Sequence, residues 1–204
     1  MTLTVWFSLL SVSILGAMSP GPSLAMVAKH SLAGGRKNGL ATAWAHALGI
    51  GGYAFITLVG LAVVLQRSPL LFSLISYAGG GYLAYLGINA LRSKGGVAAK
   101  LESGESVSII QSAKEGLLIS LLNPKIALFF IALFSQFVSQ SSELISKIII
   151  IVTPFIIDGL WYSLITLLLS SPKLLDKLRA RAVVIDRLSG LVLIALAIRV
   201  LISA

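Results

Sequence analysis

The chain has 204 residues, of which 57% are hydrophobic and 11% are charged, and its 16 Lys and Arg outnumber its 7 Asp and Glu. A soluble domain carries about 25% charged residues, so this composition indicates an integral membrane protein with no room for a soluble catalytic or nucleic-acid-binding domain. The sequence contains no Cys, which excludes thiol-disulfide chemistry and Cys-ligated metals.

Six apolar stretches are long enough to cross a bilayer, for which a helix needs about 20 residues. In chain order they cover residues 6–28, 39–65, 69–91, 116–138, 148–170 and 183–203. The sequence therefore predicts an all-α integral membrane fold with six transmembrane helices. The first stretch is expected to be a retained span, because a cleaved signal needs positive charge ahead of its apolar region and residues 1–28 hold no Lys or Arg.

A polar segment divides the predicted spans into two groups of three. Residues 93–115 are rich in Gly, Ser, Lys and Glu and show no helical period, so we predict a cytoplasmic linker there. It would join a first three-helix repeat, residues 1–92, to a second, residues 116–204. Because each half has an odd number of spans, the two halves are expected to be inverted repeats, an arrangement common among secondary transporters.

The distribution of basic residues predicts the orientation in the membrane. Twelve Lys and Arg are assigned to the first, third and fifth loops, whereas the second and fourth loops offer only Arg67 and Lys147. Basic loops stay in the cytoplasm, so both termini are predicted to lie outside. The positive net charge is then explained by the basic loops. We therefore expect the protein to lie in a lipid bilayer and to have no nucleic-acid partner.

Two of the spans, the first and the fourth, are interrupted by proline. The interruptions are Pro20-Gly21-Pro22 and Asn123-Pro124-Lys125. Proline removes a backbone donor and clashes with the carbonyl one turn back, so neither span can run as one helix. Because Pro is favoured at the first position of a helix and Gly or Asn just before it, new helices are predicted to begin at Pro22 and Pro124.

A helix start inside a membrane protein is suited to binding an anion. Its free N–H groups and partial positive charge attract a carboxylate, and Ser23 and Asn123 could add side-chain donors. The other interpretation is that both interruptions are ordinary proline kinks, which membrane helices tolerate. The candidate substrate-binding residues are Pro20, Gly21, Pro22, Ser23, Asn123, Pro124 and Lys125.

Asp158 lies near the middle of the fifth predicted span. A charge at that depth costs about 2.5–3.5 kcal/mol, so Asp158 is expected to face the bundle interior, to have a partner and to carry a coupling proton. Lys125 could form a static pair with it, or could snorkel toward the cytoplasm. His30, in a basic loop, and His46, alone on an apolar helix, are expected to be structural, and no metal site or cofactor is predicted.

Small residues recur in the third predicted span, at Gly79, Gly80, Gly81, Ala84 and Gly87. Such residues let helix backbones approach closely, so helix packing explains them without a binding site. The chain could work alone or as a homodimer packed through these glycine faces. The sequence does not decide between the two states.

Several of these segments together resemble the LysE/RhtB-type amino-acid exporters. They are Pro20-Gly21-Pro22, the loop at 31–39 with Gly34-Gly35-Arg36, the segment 79–92, the segment 122–130 that begins Leu-Asn-Pro-Lys, and the run 158–162. The resemblance extends from Pro20 to the last helix. Each element alone is weak, and the combination is specific.

The resemblance implies a carrier in the bacterial cytoplasmic membrane that exports an amino acid in exchange for ions, with protons as the expected coupling ion. It also implies that the two proline interruptions are the central elements and that Asp158 is the intramembrane acid. Family members often carry Asp or Asn directly after the second proline, where this chain has Ser23. The loss of that carboxylate favours a neutral or small polar substrate over a strongly basic one. A divalent-metal exporter of related architecture is the alternative.

Overall fold

The computed structural model describes residues 1–93, 105–138, 143–169 and 180–203. In these ranges the chain forms seven α-helices and no strand. They are α1 (Leu3–Met18), α2 (Pro22–Arg67), α3 (Pro69–Leu91), α4 (Ile109–Leu121), α5 (Pro124–Val138), α6 (Leu144–Leu169) and α7 (Ala182–Ser203). The all-helical class predicted from the sequence is confirmed.

Helix α2 is a hairpin rather than one straight rod. Gly35 interrupts it with a φ of 74°, a left-handed conformation that favours glycine. Ser23 and His46 lie on either side of this turn, and a straight helix would separate them by about 35 Å at 1.5 Å per residue. Their side chains are instead 2.8 Å apart, between Ser23 Oγ and His46 Nε2. The arms 22–34 and 36–67 therefore run antiparallel.

The hairpin replaces the first predicted loop. Residues 29–38 are helical apart from the turn at Gly35, so the prediction that His30 lies in a basic loop is wrong: His30 is in the first arm of the hairpin. His30 is buried and contacts Glu115 of α4 at 3.0 Å, and Glu115 also accepts from Lys29 at 3.0 Å. These contacts hold the end of the first arm against α4.

Both proline interruptions break the helices as predicted. α1 ends at Met18 and α2 begins at Pro22, whereas α4 ends at Leu121 and α5 begins at Pro124 with a bend of 52°. The helices that precede the breaks have similar lengths, 16 residues in α1 and 13 in α4. Helix α4 reaches this length because it begins at Ile109, inside the predicted linker 93–115.

The packing joins the helices that precede residues 93–115 to the helices that follow them. α2 packs against α4 and α6, α1 packs against α6, and α3 packs against α5 and α7. A Cβ at Gly87 of α3 would lie 2.9 Å from the carbonyl oxygen of Gly190 in α7, so the two backbones are in direct contact. Gly79 faces the backbone and Cβ of Ala132 in α5, and Gly80 faces the side chain of Leu201 in α7. Gly79, Gly80 and Gly87 thus pack within the chain, whereas Gly81 faces open space.

The described helices fit a membrane protein. By length and composition three of them are apolar enough to cross a bilayer, and a fourth span results if the bent pair α4 and α5 counts as one. The first of the three is the α2 hairpin, whose arms reverse direction at Gly35. The arrangement of six spans in two inverted repeats remains a prediction.

Candidate functional site

The two helix breaks meet in the middle of the bundle, and Lys125 joins them. Its ammonium group donates to the hydroxyl of Ser19 at 2.7 Å, to the carbonyl of Ser19 at 3.0 Å and to the carbonyl of Pro20 at 3.1 Å. These carbonyls lack helical partners because α1 ends at Met18. A lysine from the second break therefore satisfies the backbone that the first break opens.

Lys125 takes neither of the two arrangements considered from the sequence. Its ammonium does not snorkel, since its donors are directed at the first break. Within the described part of the chain it forms no ion pair with Asp158. The partner of Asp158 is a different residue.

Asn123 caps the helix that starts at Pro124. Its Oδ1 accepts from the backbone N–H of Lys125 at 3.0 Å, and its carbonyl oxygen accepts from Ile126 and Ala127. The helix start at Pro22 differs, because Gly21 has no side chain with which to cap it. Two N–H groups in the first turn of α2, those of Ser23 and Leu24, thus lack an intrahelical partner.

Asp158 of α6 is hydrogen-bonded to His46 of α2. The distance from Asp158 Oδ2 to His46 Nδ1 is 2.7 Å, and both residues are buried, with exposures of 4% and 1%. On its other side His46 Nε2 lies 2.8 Å from the hydroxyl of Ser23. A neutral imidazole with its proton on Nδ1 donates to Asp158 and accepts from Ser23, so one tautomer satisfies both bonds.

This hydrogen-bonded chain extends from Asp158 to the second break. Asn123 Nδ2 lies 3.5 Å from Ser23 Oγ, which is a long contact. Tyr162 packs edge-on against His46 with ring centroids 5.1 Å apart. A carboxylate, an imidazole, a hydroxyl and an amide therefore connect the core of α6 to both helix breaks, an arrangement suited to moving a proton next to a bound anion.

A small cavity of about 50 Å³ lies beside this chain. Its polar lining includes Ser19, Ser23, His46, Asn123, Lys125 and Asp158. A water needs about 10–15 Å³ by this measure, so the cavity has room for a few water molecules. Beyond it the phenylalanines of α5 form a buried wall, with ring centroids 4.5 Å apart between Phe130 and Phe134.

A second cavity, of about 410 Å³, lies on the other side of the breaks. It touches Pro20, Pro22 and Pro124 and extends to the end of α3 and the start of α7. Ser19, Gly21, Asn123 and Lys125 line both cavities. The residues of the two breaks thus form the partition between the small inner cavity and the larger cavity.

The structure brings together all the residues that the sequence singled out, from Pro20 to Ser23, from Asn123 to Lys125, and Asp158. Two residues were missed. His46 was expected to be structural, and only the fold shows that it faces Asp158. Asp186 lies inside the predicted span 183–203, so the same burial argument that selected Asp158 could have found it.

The described residues offer no group of three His, Asp or Glu side chains that could hold a metal ion. His46 and Asp158 are a pair, and the His30 cluster contains a single carboxylate, that of Glu115. The described residues therefore provide no support for the alternative of a divalent-metal exporter. Arg199, which lies near the C-terminus, has a side chain outside the described set.

Sequence comparisons relate the chain to proteins that are named as efflux or membrane proteins. The chain is 27% identical to the threonine efflux protein of Escherichia coli K12 over 204 residues, which covers 98% of this chain and 99% of the relative. It is 31% identical to the homoserine/homoserine lactone efflux protein of Salmonella typhimurium over 159 residues, with 78% and 77% covered. An uncharacterized membrane protein of Haemophilus influenzae is 29% identical over 192 residues, with 91% and 90% covered.

No solved structure matches the chain. The family model described as LysE type translocator matches residues 14–204, which include both helix breaks and Asp158. With nearly the whole chain covered by that match, this membrane protein belongs to the LysE family of translocators.

Proposed function

We propose that this protein is a secondary transporter that exports a neutral or small polar amino acid from the bacterial cytoplasm by proton antiport. The observation that carries the proposal is the contact between the two helix breaks, where Lys125 binds Ser19 and Pro20 beside the Asp158, His46 and Ser23 chain. Opened backbone of this kind occurs in membranes where it lines a substrate site. Relatives named for threonine and homoserine efflux support an amino-acid substrate.

The substrate carboxylate is assigned to the first break. The N–H groups of Ser23 and Leu24, which lack intrahelical partners, and the ammonium of Lys125 supply positive charge there. Among the described residues no carboxylate pairs with that ammonium. The small inner cavity is too small for a molecule the size of threonine. Transport therefore requires the breaks to separate, and release of Lys125 from the Ser19 and Pro20 carbonyls would do this.

The proton is assigned to the pair formed by Asp158 and His46. The pair is nearly inaccessible to solvent and connects through Ser23 to the position of the substrate carboxylate. When Asp158 takes a proton it no longer attracts the substrate ammonium, so proton and amino acid compete for one carboxylate. That competition would couple the two opposite fluxes.

The proposed topology has six spans in two inverted repeats, with both termini outside and the odd loops in the cytoplasm. The turn of the α2 hairpin supports it, because Arg36 and Lys37 lie there and the arms on either side are antiparallel. The pairing of α2 with α6 and of α3 with α7 also fits a two-fold arrangement. A homodimer would need a surface other than Gly79, Gly80 and Gly87, which are covered within the chain.

Efflux from proteoliposomes tests this proposal. The wild-type protein should release one of a panel of labelled amino acids faster when a pH gradient is imposed. Asp158→Asn should lose this acceleration, and the exchange that remains without a gradient should need a higher substrate concentration. Glu143→Gln, which removes an exposed acid at the start of α6, serves as the control and should behave like the wild type. Unchanged coupled transport by Asp158→Asn would remove Asp158 from the mechanism.

A further inference from the structure

The larger cavity contains a second buried acid that the mechanism above does not use. Asp186, in the first turns of α7, is 4% exposed and accepts a hydrogen bond from the hydroxyl of Ser93 at the end of α3. It lines the cavity together with Tyr82 and Asn89 of α3. An ionisable side chain buried in a span is costly and most often serves a ligand or an ion.

Lys125 lines the same cavity as Asp186. Within the described residues the two charges nevertheless form no ion pair, since Lys125 is held by Ser19 and Pro20 and Asp186 by Ser93. Two opposite charges thus border one cavity whose lining is otherwise mostly apolar, an arrangement suited to a ligand that carries both charges.

The cavity has the size and the position of a loading site. Its volume of about 410 Å³ lies in the range of about 300–1,000 Å³ that is common for small-molecule sites. It lies where α3 ends and α7 begins, which is the side of the predicted third and fifth loops. The basic residues of those loops place this side in the cytoplasm.

We propose that this cavity is a loading site in which a zwitterionic amino acid waits on the cytoplasmic side of the helix breaks. Asp186 holds the substrate ammonium, and Lys125 turns from the Pro20 carbonyl to hold the carboxylate. The inference rests on the proposed function, amino-acid export, and adds a second site to it. Binding there would withdraw Lys125 from the first break and so begin the opening of the partition.

Cysteine protection tests the site directly, because the natural chain has no Cys. Ala90→Cys places a single thiol in the cavity wall, and Glu105→Cys places one at an exposed position outside it. In inside-out vesicles a membrane-impermeant thiol reagent should modify both variants. A mixture of the twenty amino acids should slow modification of Ala90→Cys at least about threefold and leave Glu105→Cys unchanged.

Transport kinetics test the role of the carboxylate. Asp186→Asn should raise the KM for the exported amino acid about tenfold, with a change in maximal rate below about twofold. The matched 2-hydroxy acid, in which a hydroxyl replaces the ammonium, should lose little affinity, so discrimination between the two compounds should fall. A purely structural role for Asp186 would affect both compounds equally, and Asp186→Glu should restore discrimination in part.

The outcomes separate this inference from the proposed function. Efflux by the wild type without protection of Ala90→Cys by any amino acid would overturn the loading site and leave the transport proposal intact. Protection without efflux would support the site and overturn the transport proposal. If Asp186→Asn does not accumulate in membranes, Ser93→Ala replaces it, and unchanged KM and discrimination in that variant would count against the site.

Discussion

Replacing Lys125 by Met tests whether the ammonium group holds the two breaks together. Met has a similar length and no donors, so Lys125→Met removes all three hydrogen bonds to Ser19 and Pro20. Hydrogen bonds to a charged group contribute about 1.5–3 kcal/mol each, so three at the lower limit amount to about 4.5 kcal/mol. Removal of a buried charge offsets part of this loss.

We expect a net loss of about 2 kcal/mol for Lys125→Met, which corresponds to a fall in Tm of about 4–8 °C for a chain of this length. The Tm is measured by heating the purified protein in detergent and determining by size-exclusion chromatography how much folded protein remains at each temperature. Lys147→Met is the matched control, because Lys147 is exposed at the start of α6. The control should stay within about 0.5 kcal/mol of the wild type.

Lys125→Arg separates charge from geometry. Arginine keeps the positive charge, but its planar donors cannot reach three acceptors that surround one nitrogen position. Most of the loss in Tm should therefore remain in Lys125→Arg. A Tm of Lys125→Met equal to or above that of the wild type would refute the idea that Lys125 joins the breaks, and full recovery in Lys125→Arg would refute the geometric argument.

Three further substitutions probe the supports of the site, each by its effect on Tm. Gly87→Ala should destabilise by about 1–3 kcal/mol, because the new methyl group would meet the backbone of α7, whereas Gly81→Ala, with open space around it, should be neutral. Tyr53→Phe removes a 2.6 Å hydrogen bond to the last carbonyl of α4 and should cost about 1 kcal/mol. Tyr77→Phe, at an exposed position, is its control, and equal stability of the two variants would contradict this expectation. Asn123→Ala removes the cap of α5 and should cost about 0.5–2 kcal/mol, whereas Asn123→Asp keeps the capping oxygen and should lose less stability. Equal losses of stability in both variants would show that the cap is not the cause.

The conformation of the molecule has a consequence for transport. The large cavity extends to the ends of α3 and α7, whereas the small one is bounded by the phenylalanine wall of α5. In the proposed topology, the larger cavity would open toward the cytoplasm and the phenylalanine wall would close the opposite side. Export would require the wall around Phe130 and Phe134 to open while Lys125 closes the cytoplasmic side.

The sequence by itself determined the local features of this protein. The apolar composition required a membrane fold, and the prolines required helix starts at Pro22 and Pro124, because the missing N–H and the ring geometry act within one turn of the chain. The capping role of Asn123 follows from the same local rule. The resemblance to the LysE family also depends on short segments that can be recognised in the sequence without a structure.

Only the tertiary structure decided which side chains meet. Lys125 contacts Ser19, 106 residues away, and His46 contacts Asp158, 112 residues away. Such pairs depend on how each helix is rotated and on the reversal at Gly35, which turns a continuous helical segment into a hairpin. Because a buried charge needs a partner but its own segment does not specify which one, the sequence could predict that Asp158 has a partner, and only packing could show that it is His46.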